Sequence, residues 1–441
     1  MQHAVLLLFA LALILCVALD LSILWALLFG LALFLFYGRY RGLGWRELLS
    51  TALRGVRTVR NILITFMLIG VLTAFWRAAG TIPTIVAASA GLIRPSVFLL
   101  MAFLLNGLVS LLTGTSFGTA ATMGVICAAM GAAMGVDVRL TGGAVLSGAF
   151  FGDRCSPVST SALLVAELTS TAIYDNIRRM LRSALLPFLL SCALYAALGA
   201  LHPGRGSEVA LTGTFARAFR LHWTALIPAA VILLLALGRV NVKLSMLGSI
   251  ASAVPVALML QRISPDALLR MAVFGYRAQD PSLGALLDGG GLLSMLRMAA
   301  IVCISASYAG LFEATGLLEG LRGGIRALSR RATPFAAMVL TGAVSAMVAC
   351  NQTLAAMLTH QLCAREYDDP GDMALDMEDS VIVIAPLVPW SIASAVPLGA
   401  VGAPASSLPF ALYLILLPLT RLAGSLLRKR RGQRRRSGRT V

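Results

Sequence analysis

Charge is scarce in this chain. Asp, Glu, Lys and Arg together make up 12% of its 441 residues, about half the roughly 25% of an average soluble protein. That shortage excludes a cytosolic enzyme and a disordered chain. The seven cysteines sit mostly inside apolar runs, with no CxxC and no paired spacing, which excludes a disulfide scaffold and a zinc site. Histidine is rarer still: of four, none has a carboxylate or cysteine at ligand spacing, and no HExxH occurs. Neither a metal centre nor a nucleophile with its base can be assembled. The chain therefore reads as a protein without a cofactor and not as an enzyme.

Apolar residues fill the space that charge leaves. The wide hydrophobic class reaches 59% and the mean hydropathy is +0.87. At about 20 residues per crossing, this length accommodates roughly a dozen membrane elements. The fold class is an all-α polytopic membrane protein. Apolar runs fall near 4–18, 22–37, 61–79, 96–112, 116–135, 140–172, 181–201, 222–238, 244–260, 292–310, 333–349, 351–363, 378–402 and 405–424. The first run has the length of a signal segment but lacks a basic n-region, and it reads as a retained helix.

The formal charge of +17 has an ordinary cause in a membrane protein. Eight basic residues lie between Arg428 and Arg439, and six more (Arg39, Arg41, Arg46, Arg54, Arg57, Arg60) share one loop with Glu47. Positive charge is retained on the cytoplasmic side. This places both termini, the 39–60 loop, Arg178 to Arg182, Arg239 with Lys243, and Arg322 to Arg331 inside, and 261–290 outside. The location is the cytoplasmic membrane. The basic tail faces anionic lipid, and no stacking aromatics accompany it to suggest nucleic acid. Oligomeric state stays open, a homodimer among the alternatives.

An internal duplication runs at an offset of 236. Phe75-Trp76-Arg77-Ala78-Ala79-Gly80 lines up with Leu311-Phe312-Glu313-Ala314-Thr315-Gly316, Arg94 with Arg330, and Thr113-Gly114-Thr115-Ser116 with Ala349-Cys350-Asn351-Gln352. After a longer loop, Gly152-Asp153 corresponds to Glu378-Asp379. The charge-based path starts the copies on opposite sides, so the repeat is expected to be inverted, as in secondary transporters whose helices break at the midplane. The organisation is an N-terminal pair and basic loop (1–60), a first transport repeat (61–180), linking helices (181–290), a second repeat (291–424) and a basic tail (425–441).

Polar residues at membrane depth cluster at four interruptions. The first, Leu112 to Thr119, contains Thr115 and Ser116 between two apolar arms; 96–135 is either a re-entrant hairpin or two crossings. The second, Phe150 to Ser161, places Asp153 and Arg154 before Pro157, with Ser156, Ser159 and Thr160 after them. Carbonyls, a carboxylate and hydroxyls are hard ligands suited to an alkali cation, and Asp153–Arg154 as a structural ion pair is the competing reading. The third is Asn351-Gln352-Thr353, whose amides both donate and accept. The fourth, Glu378-Asp379, leads to Pro386, Pro389, Trp390 and Ser391. Two adjacent carboxylates entering a span fit a proton-coupled carrier, and a solvated loop end explains them as well. Glu167 and His360 are further candidates that a helix end would equally explain.

The segments Gly114-Thr115-Ser116-Phe117-Gly118-Thr119-Ala120-Ala121-Thr122 and Gly148-Ala149-Phe150-Phe151-Gly152-Asp153-Arg154-Cys155-Ser156-Pro157-Val158-Ser159 resemble the NhaC-type Na+/H+ antiporter family. So do Tyr174 to Met180, Asn351 to Leu354, Glu378-Asp379-Ser380 and Pro386 to Trp390. The resemblance covers roughly 60–424. It implies an ion-transporter fold with two hairpins and two broken helices, with Na+ and H+ as the ions moved and Na+ held at Asp153 and Ser156. Asp379 would join that ion site, and Asp153, Glu378 and Asp379 are the proton-coupling candidates. Relatives of that kind also couple Na+ or H+ to small organic acids, so a carrier of an organic anion or amino acid is the alternative. The family pattern usually has Asp, Asn and His where this chain has Thr160, Leu163 and Asn176.

Overall fold

The structure is a computed structural model that describes residues 2–18, 22–89, 94–157, 159–202, 217–238, 240–278, 287–315 and 332–437. Arg239, the Arg322 to Arg331 stretch, Arg330 of the Arg94 pairing and the tail beyond Ser437 lie outside the described residues. Among those described, the chain is helical throughout, with one isolated bridge between Tyr276 and Gly289.

Helices α1 (Gln2–Ala18), α2 (Ile23–Tyr40), α3 (Trp45–Thr58), α4 (Arg60–Ala78) and α5 (Thr81–Ser89) open the chain. Phe9 of α1 meets the rings of Phe34, Tyr308 and Trp390, which seats this first helix in the core. α6 (Pro95–Thr113) and α7 (Ser116–Ala133) follow, then α8 (Val138–Cys155), α9 (Thr160–Leu168) and α10 (Ile173–Leu201). The linking region holds α11 (Ile227–Leu237), α12 (Val242–Leu260) and α13 (Pro265–Phe274). The remainder is α14 (Leu296–Thr315), α15 (Pro334–Ala349), α16 (Gln352–Cys363), α17 (Pro370–Glu378), α18 (Val381–Ile384), α19 (Ile392–Ala400) and α20 (Leu412–Ser437).

Proline opens several helices at the position where its missing N–H costs nothing: Pro95 in α6, Pro265 in α13 behind the Ser264 cap, Pro334 in α15 behind Thr333, and Pro370 in α17 behind Asp369. By length and composition, six described helices can cross a membrane, seven if the bent pair Pro370–Leu387 and Ile392–Ala400 forms one span. The two arms of 96–135 are both among the six, with Pro95–Thr113 and Ser116–Ala133 each long enough to cross. Exposed leucines along α10 (Leu181, Leu185, Leu186, Leu189) give it a lipid-facing side.

Two local geometries recur at the sequence offset. Gly114 and Cys350, which end α6 and α15, are both left-handed, with φ of 67° and 56°. Each is followed by an extended cap, Thr115 and Asn351, whose side chain accepts a backbone N–H of the next helix. Beyond them, Ser159 and Ser391 cap α9 and α19 in nearly the same conformation. The pairing of Gly152-Asp153 with Glu378-Asp379 is looser. The first copy breaks once, over 156–159, whereas the second leaves helical geometry at Ser380 and again over 388–391, where its halves bend by 59°. The sequence run 378–402 also begins too late, because the helix starts at Pro370 and carries Asp376 and Glu378 into the interior.

The α6–α8 contact positions the first break. A Cβ on Gly148 would come within 2.4 Å of the Phe103 carbonyl oxygen, and one on Gly152 within 2.2 Å of the Leu111 nitrogen. Two glycines four apart on one helix face let the backbones touch, and Ser110 Oγ donates to the Ala149 carbonyl across this seam. The contact fixes the depth and rotation of α8, and hence the position of Asp153 one residue on.

Gly152→Ala is therefore expected to destabilise the protein by about 1–3 kcal/mol, the usual cost of overpacking. Gly424→Ala, on α20 with nothing within 4 Å of the added carbon, is expected to be neutral. Thermal unfolding of both variants in detergent checks this; equal stability would remove the role given to the seam.

Candidate functional site

Asp153 lies in the last turn of α8 and is buried, 4% exposed. Ser116 Oγ donates to its Oδ2 at 3.1 Å and Ser159 Oγ to its Oδ1 at 2.9 Å. Each donor is placed by a helix start. Ser116 opens α7 behind the Thr115 cap, and Ser159 is the cap of α9, its hydroxyl oxygen also facing the N–H groups of Ser161 and Ala162. With Ser159 donating to the carboxylate, Ser161 Oγ, 2.8 Å away, donates to Ser159. A hairpin turn and both halves of a broken helix thus converge on one carboxylate. Ser156, at the C-terminal cap of α8, is fully buried in the same break.

Among the described residues no basic group lies within ion-pair distance of Asp153. Arg154, its neighbour in sequence, points elsewhere. The Arg154 guanidinium, with no exposure at all, donates to the carbonyls of Glu378 and Met180 at 3.2 Å, to Ser183 Oγ at 2.9 Å, to Tyr413 Oη at 3.4 Å and to Asp379 Oδ1. Asp379 also accepts from Ser183 and faces Arg421 Nε at 2.7 Å. Arg421 reaches Asp376 at 2.5 Å, and Tyr367 closes the chain on Asp376 at 2.9 Å. These residues join α8, α10, α17 and α20 into one unit. The Asp153–Arg154 pair read from the sequence does not form; the structural ion pair is Arg154–Asp379.

Glu378 is the other interior carboxylate without an ion-pair partner among the described residues. It is completely buried, neither carboxylate oxygen has a hydrogen bond among the described residues, and its charged neighbours are Arg154, Asp153 and Asp379. A carboxylate so placed is stable only as the neutral acid or beside a cation. The solvated loop end considered for Glu378-Asp379 is excluded, since both are fully buried.

The second hairpin meets the second break through hydrogen bonds between backbone and structural side chains. Ile392 N donates to the Cys350 carbonyl at 2.8 Å, Gln352 Nε2 to the Ile382 carbonyl at 2.9 Å, and Trp390 Nε1 to the Met347 carbonyl at 2.8 Å. Asn351 and Ser391 each cap their own helix, accepting from Thr353 N and Ala393 N. Asn351 and Thr353 line a cavity of about 610 Å³ with Thr51, Arg54, Thr58 and Ile392. A second cavity, about 460 Å³, lies at the first hairpin and is lined by Thr113, Thr115, Thr122 and Thr160 together with Asn241 and Lys243. Thr160 is exposed to that cavity rather than joined to Asp153.

Four of the expected residues (Ser116, Asp153, Ser159 and, by burial, Ser156) come together at the first break. Thr115 and Thr160 line the adjoining cavity. Asn351, Gln352, Thr353 and Ser391 gather at the second break, and Asp379 is engaged by Arg154, Ser183 and Arg421. Glu167 is exposed in the last turn of α9, and His360 is half-buried in α16. Among the described residues no group of three His, Cys, Asp or Glu is placed to hold a metal ion. The sequence reading missed Tyr413 and Ser183, which accept from Arg154 from other helices, and Arg421, which shares Asp379 with it. Their one visible trace was an unmatched arginine inside an apolar run.

A family model described as the Na+/H+ antiporter family matches residues 1–167 and 148–423. The chain is 27% identical to the malate-2H(+)/Na(+)-lactate antiporter of Bacillus subtilis, over 87% of this chain and 84% of the relative. It is 28% identical to the Na(+)/H(+) antiporter NhaC of the same organism, over 86% of each. The arginine/ornithine antiporter ArcD of Halobacterium salinarum is 28% identical over 89% of this chain and 84% of the relative.

Removing one partner of a fully buried ion pair costs about 3–5 kcal/mol. Arg154→Gln and Asp379→Asn are each expected to lower stability by that order. The double variant is expected to fall short of the sum by at least about 1 kcal/mol, as for side chains in direct contact. Thermal unfolding of the three variants checks this, and simple additivity would deny the pair.

Proposed function

The chain belongs to the Na+/H+ antiporter family, and from that premise we propose that it exchanges Na+ for H+ across the cytoplasmic membrane by alternating access, with Asp153 as the shared carboxylate. The observation that carries this reading is a buried carboxylate with hydroxyl partners and, among the described residues, no basic side chain paired with it. Such a group is neutral when protonated and, when ionised, attracts a small cation with hydroxyl and carbonyl oxygens nearby. The C-terminal end of α8 adds partial negative charge at the same place. Because one carboxylate serves both ions, Na+ and H+ exclude each other, and this competition couples their movements.

The hydroxyl donors give a simple account of loading. Ser116 and Ser159 donate to ionised Asp153; with Na+ present, their oxygens turn to the cation. Glu378 is the second group proposed to hold a proton, while Asp379 keeps the role of partner to Arg154. Two halves carrying matched hairpins and breaks, related by inversion as the charge pattern suggests, would present this site alternately to the two faces. Both termini would then be cytoplasmic, and the basic tail would lie on anionic lipid.

A second reading is supported by the cations on the cavity walls. Lys243 lines the cavity at the first hairpin and Arg54 the one at the second, and either would suit a small carboxylate. In that reading the chain couples Na+ or H+ to an organic anion or amino acid.

Reconstituted protein in vesicles is expected to acidify or alkalinise the lumen on a Na+ gradient, and Asp153→Asn is expected to abolish the signal while the protein still folds. Ser116→Ala and Ser159→Ala are each expected to weaken the apparent Na+ affinity without abolishing exchange. A signal independent of Na+, or one unchanged in Asp153→Asn, would overturn the assignment. Stabilisation by malate, lactate or arginine but not by Na+ or Li+ in a thermal-shift screen would select the second reading.

A further inference from the structure

A third cavity lies away from both breaks. It occupies about 470 Å³ between α10, α17 and α20, and its wall includes Arg179, Arg182, Ser183, Leu186, Thr420 and Arg421. Its arginines are not equivalent. Arg179 is engaged by Asp369 at 3.3 Å and Asp372 at 3.1 Å. Arg421 uses Nη2 for Asp376 and Nε for Asp379, and among the described residues nothing accepts a hydrogen bond from its Nη1. Arg182, exposed on α10, has no hydrogen bond or ion pair among the described residues. Two guanidinium groups with spare donors therefore face one crevice, whose wall also carries Ser183, Thr420 and the Asp372 carboxylate that Arg179 engages.

The surroundings decide what such a crevice accepts. Leu186 and Pro187 also line it, and Leu185, Leu186 and Leu189 form an exposed side of α10, with Leu419 exposed on α20. Polar donors at the rim and a bare apolar face leading away fit an amphiphile whose anionic head sits in the crevice and whose chains follow the leucines. Guanidinium forks suit phosphate in particular, and basic pockets between membrane helices hold anionic headgroups. We propose that the crevice between α10, α17 and α20 is a binding site for one anionic phospholipid, with its phosphate at Arg182 and Arg421. The lipid would thereby tie α10 to the C-terminal helix beside the Arg421–Asp379–Arg154 chain. This site is separate from the basic tail, and it stands whether or not the antiport reading holds.

The test is thermal unfolding of the full-length protein in neutral detergent, titrated with phosphatidylglycerol, phosphatidylcholine or inorganic phosphate. Phosphatidylglycerol is expected to raise the unfolding temperature of the wild type, phosphatidylcholine is not, and Arg182→Gln is expected to lose most of the shift. Arg182→Lys, which keeps the charge, is expected to retain part of it, and neutralising the basic residues from Arg434 onward is expected to leave it intact. The proposal is overturned if Arg182→Gln keeps the full shift, if the tail variant abolishes it, or if inorganic phosphate stabilises as well as the lipid. Should Arg182→Gln not fold, Thr420→Leu, which fills the crevice without touching charge, must show the same loss of lipid response.

Discussion

Asp153 and Arg154 are adjacent in sequence and do not pair, and much of the structure depends on that separation. A guanidinium deep in an apolar protein must be surrounded by acceptors, because an unpaired buried charge costs several kcal/mol. Here the acceptors come from across the fold: two carbonyls, two hydroxyls and Asp379, contributed by α10, α17 and α20. Asp379 is in turn held by Arg421, and Arg421 by Asp376. Had Arg154 turned to its neighbour instead, Asp153 would be neutralised permanently. Directing the cation away leaves the buried Asp153 carboxylate without an ion-pair partner among the described residues, held by the hydroxyls of Ser116 and Ser159.

That division of labour also explains the architecture around the site. The ion-pair chain is rigid and lies on the side of α8 that faces α10 and α20. The hydroxyl cradle is built from helix starts, the part of a helix whose N–H groups need capping anyway. Ser159 performs both duties, capping α9 and donating to Asp153. The close seam of Gly148 and Gly152 on α6 fixes the carboxylate relative to the hairpin that carries Ser116.

How far the sequence revealed this depends on the kind of interaction. The membrane class, the helix breaks and the hydroxyls beside Asp153 were legible because each leaves a local mark: missing charge, glycine and proline within apolar runs, and serines near a carboxylate. The hairpin turns at Gly114 and Cys350 were legible through their spacing, although Cys350 shows that a left-handed cap need not be glycine. The partner of Arg154 was not legible. Its oxygen acceptors lie 26 to 259 residues away, and no local pattern distinguishes an arginine bonded to a distant carboxylate from one bonded to its neighbour. A solvated loop end fitted Glu378-Asp379 as well as a buried pair did for the same reason. Only packing shows that Asp376, Glu378 and Asp379 turn inward while Asp369 and Asp372 stay outside on Arg179.

Thr160 brings these strands together. In the family pattern that the sequence resembles, this position carries a carboxylate, and its loss looks at first like damage to the cation site. The side chain, however, stands on the wall of the 460 Å³ cavity at the first hairpin and not in the Asp153 cradle. The cradle has its donors from Ser116 and Ser159, and neither depends on residue 160. The replacement therefore changes the charge of the cavity beside the site while the ligands of Asp153 stay in place. With Lys243 on the same wall, that cavity is lined by hydroxyls, amides and a cation. A cavity of that kind attracts cations less strongly than one bearing an added carboxylate.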